Sequence, residues 1–98
     1  MLFSVRVTNH QNELMLNICD AHLIGKNVSD DKFKMNISKS FYGERLVDKD
    51  EAENLMKKCS SINMVGKETV SLSISLGIGS HKGVKEINGI PFLIVFKI

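Results

Sequence analysis

Ninety-eight residues and 11.0 kDa fit one domain of ordinary size. The chain is 43% hydrophobic and 24% charged, and thirteen Lys+Arg against eleven Asp+Glu leave +2; this excludes a disordered chain and demands no nucleic acid, anionic membrane or acidic partner. Two cysteines exclude a disulfide scaffold, no apolar run nears the roughly twenty residues of a membrane span, and the start carries no basic leader, so a reducing cytoplasm is expected.

Phe3, Val5 and Val7 alternate with Ser4, Arg6 and Thr8 and predict a half-buried strand. A polar cluster at 9–12 follows. Leu14, Leu16 and Ile18 then alternate with Met15, Asn17 and Cys19, which makes a β-hairpin the simplest reading. Phe33, Met35 and Ile37 alternate with Lys34, Asn36 and Ser38 and predict a third strand with a polar outer face. Residues 38–44 read as a connection, with Gly43 as its breaker.

The clearest element is a helix after Asp48. Asp48 is a good N-cap, and Glu51 stands at the capping-box spacing. Ala52, Leu55, Met56 and Cys59 share one helical face, and acidic residues open the helix while Lys57 and Lys58 close it, as the dipole favours. Residues 70–76 are ambiguous. Their strict alternation of Ser with apolar residues favours a strand, whereas Val65, Thr69, Leu72 and Leu76 share a helical face and Gly77 suits a helix end.

Residues 77–83 read as a loop and 84–87 as a short strand before the turn signal Asn88-Gly89. The last stretch is apolar on both faces, with Phe92, Ile94, Phe96 and Ile98 on one and Leu93 and Val95 on the other. Such a strand is covered on both sides or meets a second subunit. A monomer and a homodimer through the C-terminal strand both stay open, an apolar patch over Leu93 and Val95 being the dimer's expected signature. No repeat or linker divides the chain, so residues 1–98 form one expected domain.

Several short motifs occur in one order: Cys19-Asp20 with Leu23-Ile24-Gly25-Lys26, Phe41-Tyr42-Gly43, Asn63-Met64-Val65-Gly66, Leu76-Gly77, and Asn88-Gly89-Ile90-Pro91. Together, over nearly the whole chain, they resemble a small archaeal family, domain of unknown function four hundred and twenty-four. The resemblance implies a two-layer α+β fold. It also implies that residues 66–76 form a helix, because relatives carry Ala, Glu and Leu where this chain carries Ser. Relatives tend to place a polar His or Gln soon after the Gly-x-Pro turn, where this chain has Phe92-Leu93. The family has no established activity. Its genes tend to lie beside translation genes, including that of the initiation factor two beta subunit, which implies a translation-linked role.

Chemistry-bearing patterns are few. Cys19 and His22 have the spacing of half a zinc site, but a second ligand pair is missing, so a buried Cys and an exposed His are expected, with no metal or cofactor. The glycines at 77, 79 and 83 do not match a phosphate-binding fingerprint and suit a flexible turn. Asn63, Gly66 and Lys67 lie between two expected helices, where the second helix's N-terminal N–H groups suit an anion. Phe41, Tyr42, Glu44 and Arg45 place an aromatic pair and a charged pair in a predicted loop. Two uses compete there: Phe41 plugging the core with Tyr42 as its lid, or a partner-binding surface from which Tyr42→Ala removes binding and little stability.

The expected fold class is α+β: a two-layer sandwich, a mostly antiparallel sheet with two helices packed on one face. The expected function is a noncatalytic interaction module, with the ribosome, RNA or a translation factor as partner and no membrane. The alternative is a small-molecule-binding protein or small enzyme with its site at the same loops, 41–45 and 63–67; no Ser/His/Asp set or carboxylate pair favours catalysis.

Overall fold

The expected first hairpin forms. In the computed structural model, which describes residues 1–97, β1 (Phe3–His10) and β2 (Glu13–Asp20) pair antiparallel. Gln11 and Asn12 join them at φ 52° and 67°, the left-handed pair that matches the twist of the strands. The predicted third strand departs from expectation. It shortens to β4 (Lys34–Asn36) and leaves the main sheet to pair with β3 (Asn27–Ser29) in a separate two-stranded ribbon. The segment read as a connection folds into one helical turn, α1 (Lys39–Tyr42), followed by an edge strand, β5 (Arg45–Val47), on β1.

Helix α2 (Lys49–Lys58) starts where the capping signal placed it, with Asp48 Oδ1 accepting the Glu51 N–H at 2.9 Å. A strand that the sequence reading did not include comes next: β6 (Ser61–Val65) runs parallel to β2. Residues 63–65 are therefore sheet, not a turn between two helices. Helix α3 (Lys67–Ser75) follows, as the resemblance implied. The serines that mimic a strand have separate environments: Ser71 and Ser75 are exposed and Ser73 is fully buried. The helix ends as expected at Gly77, φ +74°, with Gly77, Ile78 and Gly79 N–H groups bonded back to Ile74 and Ser73 carbonyls. The Asn88-Gly89 turn joins β7 (Lys85–Ile87) to β8 (Ile90–Phe96).

The six-stranded sheet has the order β5-β1-β2-β6-β8-β7, antiparallel except between β2 and β6. Helices α2 and α3 pack on one face over Phe3, Val5, Leu16, Ile18, Ile62, Met64 and Leu93. The α+β class, the mostly antiparallel sheet and the two-helix layer are as expected. Leu93 and Val95 belong to this core, so the apolar patch sought over them does not exist; the uncovered side of β8 is the other one. The glycines at 79 and 83 have a packing role here, since a Cβ on either would lie 2.6 Å and 3.0 Å from Leu93. No described helix is long and apolar enough to cross a membrane.

Candidate functional site

The opposite face of the sheet divides into rows. In one row Ser4, Cys19, Val65 and Phe92 stand side by side across β1, β2, β6 and β8. Leu23 of the 3₁₀ turn at 21–23, Val28 of β3, Ile37 just after β4 and Tyr42 of α1 cover this row, which makes a second small core. The next row holds Arg6, Asn17, Asn63 and Ile94, and the one after it Thr8, Met15, Ser61 and Phe96. Among the described residues no element lies over these two rows at β8: Ile94 is 60% exposed and Phe96 73%.

Where the cover ends, a groove opens. It has a volume of about 520 Å³, within the roughly 300–1,000 Å³ of ordinary ligand sites. Its apolar lining comes from Phe33 and Met35 of the ribbon, Phe41 and Tyr42 of α1, and Phe92 and Ile94 of β8. Local chemistry sets each wall. Asp30 Oδ1 accepts the N–H groups of Lys32 and Phe33, an Asx turn that holds Phe33 outward, 60% exposed. Helix α1 is capped by Ser38 Oγ, which accepts the Phe41 N–H, and Ser4 Oγ and Asn17 Nδ2 donate to the Tyr42 and Phe41 carbonyls at 2.9 and 3.1 Å. Asn63 Nδ2 then donates to Asn17 Oδ1 at 2.8 Å, so a carboxamide chain runs from β6 to the end of α1. Asn63 lines the groove, and its Oδ1 accepts no hydrogen bond from the described residues.

The candidate residues separate. Phe41, Tyr42 and Asn63 meet at the groove. The roles of the aromatic pair are reversed from the expected plug and lid: Tyr42, 2% exposed, is the plug, and Phe41, 47% exposed, is the surface ring, their centroids 5.2 Å apart edge to face. Tyr42 is therefore core, and the expectation that Tyr42→Ala spares stability is overturned. Burial, and next the neighbouring Cys19, push the Tyr42 hydroxyl up to about 12; burial, and next Asp20, do the same to the Cys19 thiol. Both are protonated at neutral pH. Glu44 is exposed outside the groove. Arg45 lies on the helix face of the sheet, with Nη2 3.9 Å from Glu51 Oε1, an exposed pair worth about 0–1 kcal/mol.

Gly66 and Lys67 sit at the start of α3, and there the expected anion is the chain's own. Asp20 Oδ1 accepts the Thr69 N–H at 2.8 Å and the Thr69 hydroxyl at 2.7 Å, while Oδ2 accepts the Glu68 N–H at 3.1 Å. Gly66 has φ +110°, and a Cβ there would come within 2.6 Å of both carboxylate oxygens. The helix N-terminus is thus used for capping. Cys19 is fully buried beside this carboxylate's strand end and His22 is exposed on a single 3₁₀ turn. Sequence reasoning missed Phe33, Met35, Phe92 and Ile94 as groove residues. The usable signal was the two-faced β8, whose open face was assigned the wrong way round.

These features define a two-layer α+β domain with a partial third cover and an aromatic groove at its edge. The chain belongs to the family described as "Protein of unknown function (DUF424)", whose profile matches residues 8–98. No curated protein shows significant similarity to it. Among solved structures, an uncharacterized conserved protein from Methanopyrus kandleri has the same fold, with a TM-score of 0.81 at 17% identity over 100% of this chain and 95% of that one.

Proposed function

We propose that this protein is a noncatalytic interaction module of the cytoplasm, working in a translation-linked setting, whose contact surface is the uncovered part of the second sheet face. One observation carries the reading: Phe33, Phe41, Ile94 and Phe96 are all between 47% and 73% exposed, and the first three line one groove. Apolar side chains grouped in this way mark interaction sites more often than scattered ones do. The groove's lining also favours binding over chemistry. It is mostly hydrocarbon, with Asn63 and the charged Asp30, Lys85 and Glu86 as its other polar side chains, and its one hydroxyl, that of Tyr42, stays protonated at neutral pH. A ribosomal subunit, an RNA or a translation factor is the proposed partner, as the gene neighbourhood of the family implies.

The groove volume favours a second reading, a small-molecule-binding protein with its site at Phe41 and Asn63. Tagged protein incubated in native lysate separates the two. The module reading expects recovery of ribosomal subunits, RNA or a translation factor by the wild type and its loss in Ile94→Asp, a substitution at an exposed strand position that costs about 1 kcal/mol. Equal recovery by both proteins, or none by either, refutes it.

A further inference from the structure

We propose that the groove binds a nucleobase, with a purine preferred, in the space between Phe33, Phe41 and Phe92. This rests on the interaction-module reading and names the chemistry its groove recognises. Four observations converge. The walls are aromatic rings and long apolar side chains, which suit the flat faces of a heteroaromatic ring; base–aromatic stacking is the recurrent way in which unpaired bases are held. Besides the charged Asp30, Lys85 and Glu86, one side-chain amide stands in this lining, that of Asn63. One of its N–H groups is committed to Asn17, which fixes the carboxamide plane; its oxygen and second N–H have no partner among the described residues. A carboxamide so placed offers one acceptor beside one donor, the pair that Asn uses to read the amino and ring-nitrogen edge of adenine.

The cavity of about 520 Å³ holds a base with part of its sugar. Lysines accompany the exposed rings: Lys32 and Lys34 flank Phe33, Lys39 opens the helical turn that carries Phe41, and Lys85 lines the groove, all exposed. Asp30 and Glu86 line the groove beside Lys85 and, with Asp31, offset most of this charge. The lysines therefore supply a modest, salt-sensitive phosphate term, and the ring faces supply the larger one. A free nucleotide and an unpaired base of a single strand present the same chemistry to the site.

The test is a titration of the ¹⁵N-labelled full chain with AMP, UMP, an oligoadenylate and inorganic phosphate, followed by amide shifts. The expected result is a set of shifts at Phe33, Phe41, Lys85 and the Asn63 side-chain amide, with AMP bound several-fold more tightly than UMP. Phe33→Ala, at an exposed position, should weaken AMP about tenfold, and Asn63→Ala should erase the difference between AMP and UMP. Much tighter, salt-dependent binding of the oligoadenylate assigns the base to a strand; binding that is equal for AMP and oligoadenylate assigns it to a free nucleotide. Shifts from phosphate equal to those from AMP, shifts outside the groove, or no binding at millimolar AMP overturn the proposal. Should a protein partner be captured through Ile94 while no base binds, the module reading stands and this one falls. Should neither occur, both fall.

Discussion

Asp20→Ala tests how α3 is held on the sheet. Asp20 is 3% exposed at the end of β2, and three hydrogen bonds join its carboxylate to the first turn of α3. Removing a helix cap of this type costs about 1 kcal/mol. The Thr69 N–H and hydroxyl, both fully buried, would lose their acceptor as well, and an unsatisfied buried polar group costs about 1–3 kcal/mol. Glu68 is exposed, so its N–H finds water. The expected total is about 2–4 kcal/mol, and at about 5 °C per kcal/mol for a domain of this size the melting temperature should fall by about 10–20 °C. Urea unfolding followed by circular dichroism measures it directly. Asp20→Asn keeps one acceptor oxygen but turns a donor toward the helix N–H groups, so a loss of about 1–2 kcal/mol is expected. A loss below about 1 kcal/mol for Asp20→Ala, or equal losses for the two variants, would refute the assignment of α3 docking to this carboxylate.

Three further outcomes follow from the second core and from the backbone. Tyr42→Ala should cost about 3–5 kcal/mol in urea, as expected for a buried aromatic, while Phe41→Ala beside it should cost far less. The folded-state values of Cys19 and Tyr42 lie above 9.0 and 10.0, so the folded chain keeps protons that the unfolded chain releases; stability is full below about pH 9 and falls as pH rises toward 12, and Tyr42→Phe should flatten that fall in urea midpoints measured between pH 8 and 11. Gly66→Ala should lose about 3 kcal/mol or more, because strain at φ +110° adds to the clash with Asp20, whereas Gly77→Ala, with nothing within 4 Å of its Cβ, should lose about 1–2 kcal/mol in the same thermal melts.

The hairpins at either end of the chain and α2 were legible because their signals are local: alternation, turn residues at 11–12 and 88–89, and a capping pair around one apolar stripe. Strand β6 was not. Ile62 and Met64 face one core while Ser61 and Asn63 are half-buried on the other side, so the strand does alternate, but only over four residues before Val65 enters the second core. Alternation at 70–76 pointed to the wrong element, because Ser73 is buried for want of space beside Gly79, not because every second residue faces water. The groove was half legible. Phe41, Tyr42 and Asn63 were singled out, yet nothing in adjacent aromatic residues says which one turns inward; that depends on the single turn of α1 and on the carbonyls that anchor it. Phe33 read as core because it alternates with Ile37, and only departure of the ribbon from the main sheet leaves it exposed.

The polar floor of the groove follows from the shortness of α1. A single helical turn ends with carbonyl groups that have no partner inside the helix, and here the end is pressed against a sheet. Ser4 and Asn17 supply the donors, which places polar side chains on the sheet where the cover meets it. Once Asn17 has turned its amide nitrogen to Phe41, its own oxygen needs a donor, and Asn63, directly opposite on β6, supplies one. The carboxamide pair cannot be roofed by more apolar chain without stranding the remaining acceptor and donor of Asn63 away from water. The cover therefore stops at this row, and the same requirement that seats α1 leaves an oriented amide in an aromatic groove.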